Sequence, residues 1–253
     1  MSNFTDFISG GGSATLETVI LTTSQTWTPP VDGTGIIHVI GAGASGSGSV
    51  AQIAGGAGGY SRKAVTFATG TNWTIVVGAG GLPTTYDQAV LAGGNSTATD
   101  GSSSLTANGG AVTSGVGGSA SGGDVNFTGG TGGQYMMTGG GGAVGVFANG
   151  STTPSKSGGQ TTDANGGADS FLVLGLGQLI GGSGGGSGGD NGGFLSGGAT
   201  NFTTGSTGSY YVNGGKGGIG GGGGMAWTNQ NALYRTGGEG GDGLVVIQYL
   251  TVS

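Results

Sequence analysis

The sequence predicts an all-β fold with little or no helix. Both chain ends form a small antiparallel β-sandwich, and a large glycine-rich insertion sits between them. Three observations carry that expectation. Glycine fills 70 of 253 positions, while hydrophobic residues still reach 34% and charged residues only 6%. Disordered chains show the reverse balance of apolar to charged residues. Short β-branched and aromatic runs bounded by Gly, Pro or Asn recur near both termini. No stretch carries a convincing amphipathic helix; residues 170–180 come nearest, and Gly175 and Gly177 interrupt them.

The strand-like runs fall at 16–21, 36–40, 62–67, 73–77 and 244–252. Pro29-Pro30 and Asp32-Gly33 supply turn chemistry before the second run. The organisation expected is an N-terminal peptide at 1–12, a β-sandwich from 13–78 with 243–253, and a glycine-rich region over 79–242.

Glycine in that region recurs in steps of three, as in Gly129-Gly-Thr-Gly-Gly133, Gly214-Gly-Lys-Gly-Gly218 and Gly237-Gly-Glu-Gly-Gly241; Gly55-Gly-Ala-Gly-Gly59 is an earlier instance. A period of three matches the polyproline-II backbone, which makes no hydrogen bonds within itself. In a Gly-Gly-X segment two of three rows lack side chains, so neighbouring backbones can approach and pair their N–H and C=O groups. Packed polyglycine-II helices are therefore expected, with the X row (Ala57, Thr131, Lys216, Glu239) facing solvent or the bundle edge. Short antiparallel hairpins are the alternative, and the Asn-Gly pairs at 108, 149, 165, 191 and 213 suit them.

Composition narrows function. Net charge is -6 with five basic residues, too few to neutralise a run of phosphates, so nucleic acid is not an expected partner. There are no cysteines, hence no disulfides and no thiolate metal site. The N-terminus lacks the basic and apolar regions of a signal peptide, and no apolar run is long enough to span a membrane.

Motifs that look chemical weaken in context. Gly41-Ala-Gly-Ala-Ser-Gly46 follows a strand, as in a dinucleotide-binding turn. Glycines return at 55–56, before a helix of useful length could form, and no acidic residue lies between Asp32 and Asp87 to hold a ribose. Gly237–Val245 matches one calcium-binding β-roll repeat, but such sites need stacked copies. His38 is the only histidine and lies mid-strand. No nucleophile context accompanies it. No catalytic residue, metal or cofactor is expected, and the chain does not read as an enzyme.

The aromatics of the glycine-rich half lie between glycine runs. Tyr135, Met136, Tyr210, Tyr211, Trp227, Asn229 and Tyr234 are the candidate receptor-binding residues. Flat rings beside amide and hydroxyl groups suit stacking on sugars with polar groups bonding hydroxyls. Phe4, Phe7 and Ile8 are candidates for docking on another protein.

Trp27-x-x-Pro30, the strand at 36–40 entering a glycine run, and Gly55-Gly-Ala-Gly-Gly-Tyr60 together resemble the glycine-rich domain of bacteriophage tail-fibre and spike proteins. Trp73-Thr-Ile-Val-Val-Gly-Ala-Gly-Gly81 and Gly237-Gly-Glu-Gly-Gly-Asp-Gly-Leu-Val-Val-Ile-Gln-Tyr249 extend the resemblance over about 26–250. The glycine-rich tip adhesins of T-even-type long tail fibres are a looser likeness. The resemblance implies a homotrimeric virion component exposed on tail or fibre. It would bind a bacterial surface glycan or outer-membrane protein without entering the membrane. The size of the chain, with no long shaft, and its first dozen residues add the expectation that the N-terminus docks on another virion protein. A purely structural virion part is the alternative.

Overall fold

The computed structural model describes residues 14–48, 53–85, 90–111, 115–133, 171–174, 177–180, 201–203, 211–228 and 234–252. For 171–174, 177–180, 201–203, 211–212, 227–228, 234 and 252 it describes the backbone only. The strands run in chain order β1 (Ala14–Leu21), β2 (Gln25–Trp27), β3 (Gly33–Ile40), β4 (Tyr60–Phe67), β5 (Trp73–Val76), β6 (Ser96–Thr99), β7 (Ser104–Ala107), β8 (Ala120–Ser121) and β9 (Val125–Phe127). Then follow β10 (Phe171–Leu174), β11 (Gly177–Ile180), β12 (Asn201–Thr203), β13 (Tyr211–Asn213), β14 (Ala226–Thr228), β15 (Tyr234–Thr236) and β16 (Leu244–Val252). The described residues contain no α-helix; Phe171–Leu174 and Gly177–Ile180, from the stretch nearest to one in sequence, pair as the antiparallel strands β10 and β11.

Two antiparallel sheets form the sandwich, in the orders β1-β16-β3-β4-β9 and β2-β5-β6-β7-β8. All five strand-like runs of the sequence are present. Strands β6 to β9 complete the sheets from residues 96–127, beyond the 13–78 and 243–253 segments. Period-two alternation sends Leu21, Ile37, Val39, Val65, Phe67, Val245 and Ile247 inward from the first sheet. Trp73, Ile75, Ala98, Leu105 and Ala107 meet them from the second. Phe67 sits edge-on to both Trp27 and Trp73, with ring centroids 5.1 and 6.0 Å apart.

At one end of the sandwich every strand except β1 and β2 continues into a glycine-rich segment. Segment 41–48 prolongs β3, 53–59 enters β4, 78–85 prolongs β5 and 90–95 enters β6. In the same way 108–111 prolongs β7, 115–119 enters β8, 128–133 prolongs β9 and 236–243 enters β16. Segment 41–48 shows how they pack. Gly41, Ala44 and Ser47 donate their N–H groups to Gly59, Gly56 and Ile53 at 2.8–2.9 Å. Ala42 and Ser45 donate to Gly94 and Leu91, and Gly43 and Gly46 to Gly241 and Gly238. Each step of three residues returns to the same neighbour, so three neighbours are served in turn. Its carbonyls accept in the same rotation: Ala42 from Gly110, Gly43 from Gly81, Ala44 and Ser47 from Gly223 and Ala226. This is the polyglycine-II arrangement, and 41–48 is wholly buried within it.

Glycine is what permits the change of spacing. Stacked β-sheets stand about 10 Å apart because side chains fill the gap, whereas hydrogen-bonded backbones lie about 4.8 Å apart. Beyond Ile40 only Gly, Ala and Ser follow through Gly48, the two layers close to backbone contact, and Ala42 N–H reaches Gly94 C=O at 3.1 Å. A Cβ on Gly43 would collide with the Gly221 carbonyl, and one on Gly46 with that of Gly224.

A further glycine hairpin, 213–226, covers the first-sheet side of the bundle. Gly214, Gly217 and Gly220 donate to Thr236, Glu239 and Asp242, again in steps of three. Its turn is closed by Gly221 N–H to Gly218 C=O at 2.7 Å, with Gly220 at φ +68°, a conformation that favours glycine. Ile219 at this turn packs on Ile40, Tyr60, Leu244 and Val246, on the outer face of the first sheet.

The X row does not all face outward. Thr131, Lys216 and Glu239 are half-buried, but Ala57 is fully buried, because segment 53–59 is enclosed by 41–48, 108–111, 115–118, 128–133 and 220–223. Gly118 N–H bonds the Ala57 carbonyl from one side while Ala57 N–H bonds Gly130 on another. The Asn-Gly pairs at 108 and 213 are not hairpin turns either; each marks the passage from a strand into a glycine segment. Those at 149, 165 and 191 lie outside the described residues.

Candidate functional site

The molecule is polar along its length. At the end away from the bundle lie the short turns of the sandwich. Asp32 accepts the Thr69 N–H and, at 2.9 Å, its hydroxyl; Asp100 accepts from Ser102 at 2.9 Å; Asp124 accepts the Ala64 N–H at 2.9 Å. The hydrogen bonds from Thr69 hold the Asp32 carboxyl below its usual range. Ala14 pairs with Val252 at this same end. The chain leaves the bundle on the opposite side, at Gly48, Thr85, Ala111 and Gly133, and rejoins it there at Ile53, Val90, Gly115 and Asn213.

The candidate receptor-binding residues that the structure describes gather at that distal side. Strands β12 and β14 run parallel with Phe202 opposite Trp227, and β13 and β15 run parallel with Tyr211 opposite Tyr234. The two pairs adjoin, since β13 also neighbours β12 and β14. The lattice positions them. Asn213 runs into Gly214 and Thr236 into Gly237, both in register with neighbours, and Ala226 N–H bonds the Ser47 carbonyl at 3.0 Å. Met225, just before β14, is fully buried. Thr85 forms a bridge to Thr236, and Thr84 Oγ1 donates to the Gly46 carbonyl at 2.8 Å while accepting the Gly48 N–H at 3.2 Å. Tyr211, Trp227 and Tyr234 thus share one small region of backbone. Tyr210, Tyr135, Met136 and Asn229 lie outside the described residues, as do Phe4, Phe7 and Ile8. Phe202 was not among the sequence-derived site residues; its place opposite Trp227 depends on a parallel pairing between segments with no local sequence signal.

Side chains complete the lattice where backbone partners run out. Ser45 Oγ accepts the Leu91 N–H at 2.8 Å, Ser96 Oγ the Gly78 N–H at 3.0 Å, and Asp242 Oδ1 the Gly80 N–H at 2.8 Å. Lys216 and Glu239 pair at 3.2 Å on the half-exposed side of the hairpin.

His38 has a structural environment. It is 3% exposed on the outer face of the first sheet. Its Nε2 lies 3.2 Å from Gln248 Oε1, an acceptor, so Nε2 carries the proton. Nδ1, 2.8 Å from the Tyr60 hydroxyl, is then the acceptor of that O–H. Burial lowers the imidazole pKa to about 4; the Gln248 bond opposes this, and the cross-strand Arg62 adds to it. Burial likewise raises the pKa of the Tyr60 hydroxyl.

The sequence model of a glycine-rich domain matches residues 18–250. The chain belongs to this glycine-rich domain family. The matched region starts in β1 and ends in β16, so both sheets and the whole glycine bundle are parts of the glycine-rich domain. No curated protein matches the chain. Within the glycine-rich domain, Gly41-Ala-Gly-Ala-Ser-Gly46 is the central helix of the lattice. Its N–H groups are all engaged by the protein's own backbone, an arrangement unlike a turn that offers them to a pyrophosphate.

Proposed function

We propose that this glycine-rich domain is a bacteriophage fibre or spike adhesin, carried on the virion surface, that binds the bacterial cell surface non-covalently with its distal end. The observation that carries the reading is the polarity of the fold. The paired Ala14 and Val252 and the short capped turns lie at one end, and the aromatic strands β12 to β15 lie at the other, on a support held by backbone hydrogen bonds. Because the lattice is built from main chain, the segments between its helices are not constrained to supply a core. That suits a surface whose chemistry must match a receptor. The ligand is a surface glycan or an outer-membrane protein, met by Tyr211, Trp227 and Tyr234 together with Tyr135, Met136, Tyr210 and Asn229.

The N-terminal residues, with Phe4, Phe7 and Ile8, attach the domain to another virion protein, which the position of Ala14 at the opposite end favours. Deleting residues 2–12 is expected to release the protein from particles without changing its melting temperature; particles that keep it would refute this attachment. For the distal end, purified protein is incubated with host cells and bound protein is measured. Tyr211→Ala, Trp227→Ala and Tyr234→Ala are each expected to weaken binding about tenfold or more, with circular dichroism unchanged. Absence of binding by the unaltered protein at micromolar concentration would instead support a purely structural virion part.

A further inference from the structure

Among the described strands the sandwich has four sheet edges, and three are short: β9 and β2 have three residues each and β8 has two. The fourth, β1, has eight residues, Ala-Thr-Leu-Glu-Thr-Val-Ile-Leu, with no proline and no lysine to discourage pairing. Among the described strands only β16 pairs with it. Alternate backbone N–H and C=O groups of β1 therefore face away from the sheet.

Its side chains add direction. Val19 and Leu21 turn into the core, while Leu16 and Ile20 turn to the outer face, 48% and 53% exposed. Thr18 lies between them on that face. Its Oγ1 is shielded from solvent and makes no hydrogen bond, which is costly for a hydroxyl.

We propose that β1 pairs antiparallel with β1 of a second copy of this chain, about a twofold axis through Thr18. The pattern is self-complementary about that residue. Leu16 of one copy falls opposite Ile20 of the other and the reverse, so two exposed apolar pairs are covered. The two Thr18 residues fall opposite each other on the axis. Glu17 falls opposite Val19 rather than the other Glu17, so the strand's single charge does not meet itself. The two first sheets join into one continuous sheet. An isologous contact closes at two copies, which differs from the homotrimer that the phage resemblance implies. The inference stands on the sandwich alone and is independent of the proposed receptor binding.

The chain has no cysteine, which makes the register directly testable. Directly opposed residues on antiparallel strands lie about 4.5–5.5 Å apart, within disulfide reach. Under mild oxidation at tens of micromolar, full-length Thr18→Cys is expected to form a covalent dimer. Leu16→Cys or Ile20→Cys alone is not expected to, whereas a mixture of those two is. In sedimentation velocity the unaltered chain is expected to dimerise in the micromolar range, as befits a small interface. A Leu16→Lys/Ile20→Lys double variant should remain monomeric with an unchanged melting temperature, since both positions are exposed. A chain that stays monomeric at 100 micromolar (roughly tenfold above the expected range) would overturn the proposal. So would a dimer or trimer that survives the double lysine change.

Discussion

Gly46 donates its N–H to the Gly238 carbonyl at 2.8 Å, three residues after Gly43 does the same to Gly241. Between them, Ala44 and Ser45 bond two other segments. That rotation by thirds turns a glycine-rich stretch into a core built chiefly of main chain. The main chain supplies both the contacts and their direction.

The close approach sets the first expectation. A Cβ on Gly46 would strike the Gly224 carbonyl, part of the backbone of a neighbouring helix that cannot swing aside. Gly46→Ala should cost about 3 kcal/mol, at the upper end for overpacking. Gly70→Ala is the contrast. Its φ is +83°, but nothing lies within 4 Å of an added Cβ. The cost there is the left-handed backbone alone, about 1–2 kcal/mol. Urea unfolding midpoints measure both, and equal losses would contradict the lattice geometry.

The side chains that complete the lattice give the second. Ser96 is fully buried, and its Oγ accepts the Gly78 N–H at 3.0 Å. Ser96→Ala removes that acceptor and buries the donor unsatisfied, at a cost of about 1–3 kcal/mol. Ser96→Thr keeps an acceptor but adds a methyl group, so it tests packing separately. If Ser96→Ala unfolds at the same urea concentration as the parent, this bond contributes nothing.

His38 gives a pH dependence. Its folded pKa, about 4, lies below the ordinary 6.5. Between those values the unfolded chain binds the proton and the folded chain does not. Stability is therefore fully present above about pH 6.5 and declines as pH falls towards 4, by on the order of 3 kcal/mol. His38 is the sole histidine, and Asp32 and Asp100 are held below the usual carboxylate range, outside this window. Urea unfolding at pH 7, 5.5 and 4 should show the decline. A His38→Leu/Tyr60→Phe variant, which removes the ring and the hydroxyl together, should flatten it. An unchanged slope in that variant would assign the effect to other groups.

What was legible in the sequence follows from where its signals are local. The runs at 16–21, 36–40, 62–67, 73–77 and 244–252 carry β-branched and aromatic residues, and each is a sandwich strand. The three-residue glycine step indicated the backbone conformation. Strands β6 and β7, Ser-Thr-Ala-Thr and Ser-Leu-Thr-Ala, carry little apolar signal. Their inward residues Ala98, Leu105 and Ala107 join Trp73 and Ile75 of the same sheet in facing Ile37, Val39 and Phe67, so their membership depends on the opposite sheet. The enclosure of Ala57 was not legible because the three-residue period gives directions around one helix, not which directions hold neighbours. The pairing of Tyr211 with Tyr234 and Phe202 with Trp227 is non-local and parallel, set by where the lattice ends each segment.

The central claim is that the glycine segments are a hydrogen-bonded core and not linkers. Amide hydrogen exchange of residues 41–47, followed by NMR on the intact chain, tests it most directly. Protection matching that of β3, of which this segment is the continuation, is the expected result. Exchange at the rate of an unstructured glycine peptide, with β3 still protected, would contradict it.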